Sequence, residues 1–383
     1  MNKLQKKLIR LLAVLTATVM LAACGSEASV SPDTSEPAQT PGTTAAKETP
    51  ETTVPETVSQ AETPEETTAP AETEENHEGQ KKSYLTGLWT DEALVNRRPV
   101  AIMLSNIKQA VPQTGISRAA IIYEAQVEGM ITRLMGLFED YDDLEKIGSV
   151  RSARTYFVFW AKQWDAVYAH FGQCNYANVY LDQTDNLNGV LGIGNTVYYR
   201  TTDRKAPHNA YASGKGLNEG IAKMEYRTDH EADYTRGVFQ FADKPGDVTL
   251  SDGMDATYVY PGYRSNKAYF EYDENTKQYL RFQYDGKQID DMTKEQLAVD
   301  NIVIQYCDYS HYYDTAYLWI EIWDEGDGYY ITQGKAIPIR WKGGVEYAPT
   351  TYYDMDGNEI QLNPGKTWVC TVVTENQKDT EIR

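Results

Sequence analysis

Pro99-Val100-Ala101-Ile102-Met103-Leu104 is an unbroken apolar run between Arg98 and Ser105. Apolar residues without polar alternation are what a strand buried on both faces requires. The residues that follow set the class. Ser117 stands where a helix cap would, ahead of a helical stretch over residues 118–126 that Gly129 closes. Residues 131–138 read as a second strand. Gly148 precedes another helical stretch, residues 152–164, whose Tyr156, Phe157, Phe159, Trp160 and Trp164 form a stripe suited to core packing. Residues 165–170 read as a third strand, residues 194–200 as extended chain and residues 213–224 as a helix. Strand–helix alternation of this kind predicts an α/β domain.

Beyond about Gly237 the pattern changes. Tyr269, Phe270, Tyr272, Tyr279 and Phe282 are arranged around Asp273-Glu274-Asn275-Thr276, which predicts a hairpin within residues 267–285. Short strands are expected at residues 302–307, 317–323, 329–332 and 337–341. Asp354-Met355-Asp356-Gly357-Asn358 has the spacing of the start of a calcium loop. The later acidic ligand is missing, so the stretch reads as a tight turn, and no metal or cofactor is expected. The body is therefore read as α+β, an α/β domain over residues 84–236 followed by a mostly antiparallel β domain over residues 237–383.

Ahead of the body the chain opens with Lys3, Lys6, Lys7 and Arg10, then an apolar run over residues 11–20, then Leu21-Ala22-Ala23-Cys24-Gly25. A basic start, a short apolar middle and small residues before a cleavage point form a secretory signal over residues 1–24. The apolar run is too short to span a bilayer. Cys24 is placed to become a new N-terminus whose thiol accepts a diacylglycerol, giving a membrane anchor. Residues 25–83 are expected to be an unstructured tether. From residue 25 to 80 there is no Trp, Tyr, Phe, Leu, Ile, Met or Cys, and thirteen acidic side chains face one lysine. Like charges extend such a chain, so it suits a stalk.

The formal net charge is −20, and the body as well as the tether is acidic. That balance argues against nucleic acid as a partner. Once Cys24 is set aside, Cys174, Cys307 and Cys370 remain, without the spacing of a disulfide framework. A Cys307–Cys370 bridge is left open.

Three polar groupings could carry chemistry. Arg151-Ser152-Ala153-Arg154 follows Gly148 at the expected helix start, where the helix end is already electropositive. Two arginines there call for an anion, either Glu124, Glu128 or Glu139 of the chain or a carboxylate or phosphate ligand. Arg204-Lys205-Ala206-Pro207-His208-Asn209 is a polar loop stiffened by Pro207. His170-Phe171-Gly172-Gln173-Cys174 lies at the C-terminal end of an expected strand, the edge at which open α/β sheets bind ligands. The candidate ligand-binding set is Arg151, Ser152, Arg154, Arg204, His208 and Asn209.

Several of these residues fall in motifs that resemble the YerB-like lipoprotein family of Gram-positive bacteria, a two-part domain of unknown function. The motifs include Arg98-Pro99-Val100-Ala101, Pro112-Gln113-Thr114-Gly115-Ile116-Ser117, Val127-Glu128-Gly129 with Ile131-Thr132-Arg133, and Val150-Arg151-Ser152-Ala153-Arg154. Ala206-Pro207-His208-Asn209, Ile337-Pro338-Ile339-Arg340-Trp341 and Asn363-Pro364-Gly365-Lys366-Thr367-Trp368 extend the resemblance over nearly the whole body. The resemblance implies an exported lipoprotein, lipid-anchored on the outer face of the cytoplasmic membrane, with no established activity. Family members often have Ser where Cys174 stands.

Two functions are weighed. In the first, the chain binds an anionic cell-wall polymer or envelope protein through its arginines. In the second, it is an extracellular hydrolase or transferase on wall material, with Glu128 as acid or base and His170 or His208 as proton carrier.

Overall fold

A computed structural model describes residues 76–344 and 347–383. The signal segment, Cys24 and the tether up to residue 75 lie outside the described residues.

The opening apolar run forms β1 (Val100–Ser105), all six residues buried. After it come β2 (Ile121–Gln126), β3 (Thr132–Phe138), helix α1 (Thr155–Gln163), β4 (Val167–His170), β5 (Asn186–Asn188) and helix α2 (Gly214–Lys223), capped by the Ser213 side chain. The second half contributes the hairpin β6 (Tyr269–Asp273) and β7 (Gln278–Gln283), then β8 (Asn301–Cys307). A short hairpin of β9 (Tyr309–His311) and β10 (Leu318–Ile320) follows. Next are β11 (Glu325–Thr332), β12 (Lys335–Lys342) and β13 (Thr367–Val373).

One eleven-stranded sheet takes strands from both halves, in the order β12–β11–β8–β13–β2–β3–β1–β4–β5 with two short strands on β12. The join is β13, parallel to β8 on one side and to β2 on the other. The fold is mixed α+β, and the sheet runs without a break across the region of Arg236. Alternate residues feed two apolar clusters, one on each face. Met103, Tyr123 and Val303 join the cluster that receives α1, and Ile102, Ile122 and Ile304 join the one beneath β6 and β7. Helix α1 is buried on nearly every side. Trp160 stacks on Tyr123 at 5.0 Å, and Trp164 Nε1 donates to the Tyr123 hydroxyl at 2.9 Å. Each such aromatic stabilises the fold by about 2–3 kcal/mol through burial.

Several expectations are corrected here. Residues 118–126 are not a helix. A single 3₁₀ turn at Ile116–Arg118 leads into β2, which pairs with β13 and β3. The Ala-rich sequence favours a helix, but two neighbouring strands outweigh that weak local preference. Glu124 and Glu128 therefore do not share a helix face. Helix α1 begins at Thr155, not Ser152, because Arg151, Ala153, Phe171 and Cys174 exchange backbone hydrogen bonds in extended chain. Residues 194–200 divide into a short helical turn, Gly194–Val197, and a strand, Tyr198–Arg200. Asp354 Oδ1 accepts from the backbone N–H groups of Asp356 and Asn358, so that stretch is a turn. Cys307 and Cys370 are free thiols on opposite faces of the sheet, too divided to bridge.

On the face under β6 and β7 lies a polar interlock between the halves. Glu124 and Arg281 are both fully buried and ion-paired. Asn106 and Asn266 donate to Glu124 Oε1 at 3.2 and 3.1 Å, and Trp368 Nε1 donates to Oε2 at 3.1 Å. The Arg281 guanidinium lies 4.4 Å from the Phe270 and Trp368 ring centres. Asp290 accepts from the backbone N–H groups of Gly115 and Ser117, tying the two halves together again.

Candidate functional site

The opposite face of the same sheet carries the arginines. β1 and β4 run parallel, and their C-terminal ends meet the start of α1. Backbone bonds hold residues 151–153 at this edge. The Arg151 N–H donates to Met103, its carbonyl accepts from Phe171, and the Ala153 N–H donates to Gly172. The chain therefore presents Arg151, Ser152 and Arg154 in extended form, just before the positive end of α1. No side chain caps that helix start.

Arg154 is 7% exposed and grips Glu128. Its Nε donates to Oε1, its Nη2 donates to Oε2 at 2.7 Å, and its Nη1 donates to the Ala153 carbonyl at 2.7 Å. Burial works to raise the Glu128 pKa, but the Arg154 hydrogen bonds and the Arg154 and Arg133 charges outweigh it, holding the carboxyl below its ordinary value. The sequence reading placed Arg133 only within a motif and gave it no role. It projects from β3, is 5% exposed, and donates from Nη1 to the Ser152 carbonyl at 2.7 Å. Burial, followed by the charge of Arg154, pushes its pKa down, with Arg151 adding to the repulsion. Arg151 donates from Nη1 to the Pro207 carbonyl at 3.3 Å, and burial and Arg154 lower its pKa too. Among the described residues no carboxylate oxygen lies within ion-pair distance of Arg133 or Arg151. Three guanidiniums thus share one carboxylate in a half-buried setting. The Tyr168 hydroxyl, fully buried without a hydrogen-bond partner, lies close enough to feel the charges of Arg133 and Arg154.

The other expected residues have other employment. Ser152 donates its hydroxyl to the Phe171 carbonyl at 3.1 Å. Arg204 spends its guanidinium on the Ala110 and Pro112 carbonyls, at 2.7 and 2.8 Å, and so fixes one loop against another. Asn209 accepts from Arg200 at 2.7 Å and donates to Thr201, closing the base of the polar loop. His208 lies near Arg151, its Nδ1 buried and without a partner. Burial, then the charges of Arg151 and Arg204, lowers its pKa. His170 is fully buried, with Nδ1 on the Gly172 carbonyl at 2.8 Å and Nε2 on Asn186 Oδ1 at 3.1 Å. Cys174 is buried, and burial raises its thiol pKa. The structure therefore gathers Glu128, Arg151, Ser152 and Arg154 with His208 beside them. It puts Arg204 and Asn209 to use within loops and His170 within a strand end. Glu139 accepts from Ser83, away from this group.

An aromatic wall from the second half adjoins these arginines. The Tyr317 ring lies 5.2 Å from the Arg154 guanidinium. Tyr176 stacks on Tyr312 at 4.0 Å, and the Tyr312 hydroxyl donates to Thr155 Oγ1 at 3.0 Å. The missed signal was a charged residue inside an apolar strand, Arg133 before Leu134-Met135. A cavity of about 150 Å³ lies elsewhere, lined by Asp308, Glu325, Asp327 and Gln377 among others, and its acidic walls would repel an anion.

Two family models match the chain. The first is described as the N-terminal domain of a protein of unknown function (DUF3048) and covers residues 85–227. The second is the C-terminal domain of the same family and covers residues 257–369. The protein named "Putative lipoprotein YerB", from Bacillus subtilis (strain 168), is 30% identical over 295 residues, which are 76% of this chain and 86% of that protein. The crystal structure of YerB protein from Bacillus subtilis has a TM-score of 0.70 and 27% identity, covering 79% of this chain and 99% of that one. The family resemblance read from the motifs is borne out: the chain belongs to the two-part DUF3048 family, together with YerB.

Proposed function

We propose that this chain is an envelope lipoprotein, anchored through lipid on Cys24 at the outer face of the cytoplasmic membrane, whose arginine patch binds an anionic group on a wall polymer or envelope protein. One observation carries the binding part: Arg133, buried, and Arg151, half-buried, have no carboxylate of the chain within ion-pair distance among the described residues. Guanidiniums in that state repel one another and are stabilised by an incoming anion. The start of α1, which no side chain caps, adds its dipole in favour of an anion nearby. The anchor rests on the signal pattern and on the lipoprotein name of the relative.

The hydrolase or transferase reading has less support. Glu128 is locked by Arg154, both ring nitrogens of His170 are engaged, and the Cys174 thiol is held protonated. The test is sedimentation of the full chain, in detergent, with purified cell-wall fragments. The double variant Arg133→Gln, Arg151→Gln should lose at least about tenfold in retention, the equivalent of one charge-assisted hydrogen bond. A double variant that melts as a folded protein yet sediments like wild type ends the proposal.

A further inference from the structure

The tyrosines beside the arginine patch extend the reading of its ligand. They come from two distant places in the sequence. Tyr176 follows the strand end at His170, and Tyr312, Tyr313 and Tyr317 lie in the loop that joins β9 to β10. Their rings gather at the patch. Tyr176 lies 4.0 Å from Tyr312, 6.0 Å from Tyr317 and 6.3 Å from Tyr313, and Tyr317 in turn lies against Arg154. The hairpin is fastened to the start of α1 by the Tyr312–Thr155 hydrogen bond and backed by Trp319, 5.8 Å from Tyr312. The loop that joins β9 to β10 thus carries the wall and is tied down through Tyr312. Yet its outermost ring, Tyr313, is 59% exposed.

The wall therefore offers one exposed ring, Tyr313, backed by part-buried ones, and tyrosine suits a cover that is apolar on one face and wet on the other. Sugar rings have that character, with C–H groups on a face and hydroxyls at the rim. A free inorganic anion would use the arginines and leave the tyrosines untouched. A plain apolar peptide would use the tyrosines and leave two guanidiniums without a counter-charge. One ligand class answers both halves. From this juxtaposition we infer that the ligand is an acidic saccharide, its sugar ring on the Tyr313–Tyr317 wall and its anionic substituent on Arg133 and Arg151. This rests on the anion-binding reading above and adds the sugar to it.

The experiment titrates the full chain in detergent with four probes: inorganic phosphate, glucose 1-phosphate, acetate and glucuronate. Glucose 1-phosphate should bind about tenfold tighter than phosphate, or glucuronate about tenfold tighter than acetate. Whichever pair shows the gain tells whether the substituent is a phosphate or a carboxylate. Tyr313→Ala should abolish the gain while leaving the simple anion's affinity unchanged, and Tyr313→Phe should retain it. Because Tyr313 is exposed, neither variant threatens the fold. Simple anions that bind as tightly as their sugar derivatives overturn the saccharide and leave the anion site standing. A gain that survives Tyr313→Ala overturns the seat on the wall. If no probe binds, the anion-binding reading and this inference fall together.

Discussion

Glu124 and Glu128 lie four residues apart, and each meets an arginine, but on opposite faces of the sheet and on different terms. Glu124 is sealed under β6 and β7 with a single partner, Arg281, and three further donors complete its oxygens. The guanidinium is wedged between two rings, and the charges balance. Glu128 faces three guanidiniums at a sheet edge, can neutralise one of them, and is itself partly exposed. An arginine buried with its own carboxylate is explained by the fold that encloses it. Arginines in surplus are not, and that difference separates an interlock from a binding patch.

The sharpest way to break the contrast is Glu124→Ala. It strands Arg281 as a lone buried charge and should cost about 3–5 kcal/mol of stability, read from the shift of the urea midpoint. A loss below about 1 kcal/mol would mean that the pair is no more structural than the one across the sheet. Glu128→Gln sharpens the same contrast from the other side. It frees Arg154 for a ligand, so phosphate affinity, measured by calorimetry, should rise about tenfold, again the equivalent of one charge-assisted hydrogen bond. An unchanged or weaker affinity would mark Glu128 as a ligand-positioning group instead of a competitor. The smallest effect belongs to His208. Its pKa lies below the ordinary 6.5 because of burial and the charges of Arg151 and Arg204. A bound anion offsets those charges and must raise it. By linkage the anion then binds more tightly as the pH falls through the titration of the imidazole. Sulfate, whose charge is constant there, is the suitable probe, with the imidazole followed by NMR. A His208 titration indifferent to sulfate would put the anion elsewhere.

The sequence was legible where local pattern and final packing agree. The β6–β7 hairpin was legible from its alternating aromatics, and residues 213–224 as the helix α2. β2 was misread because Ala119-Ala120-Ile121-Ile122 has no local mark of its neighbours, one of which is β13, about 245 residues onward. Misplacing β2 on a helix also hid the separation of Glu124 from Glu128, since strand geometry and chain direction decide which face each serves. Arg151 and Arg154 were identified, yet for the wrong geometry. A helix start was expected where extended backbone holds them. The tyrosine wall could not be read at all, since Tyr176 and Tyr312 meet only through the fold.

The placement of β13 has a consequence for the order of events during synthesis. Thr367–Val373 is the wedge that joins Ile121–Gln126 to Asn301–Cys307, so neither half can close its sheet while those seven residues are still unmade. Until then β2 and β8 each keep a bare, strongly apolar edge, the kind that pairs with whatever strand it meets. A chain growing from its N-terminus therefore carries the unsatisfied edge of β2 through most of its elongation and that of β8 near the end, and a ribosome that stops early leaves behind an adhesive fragment instead of a smaller working protein.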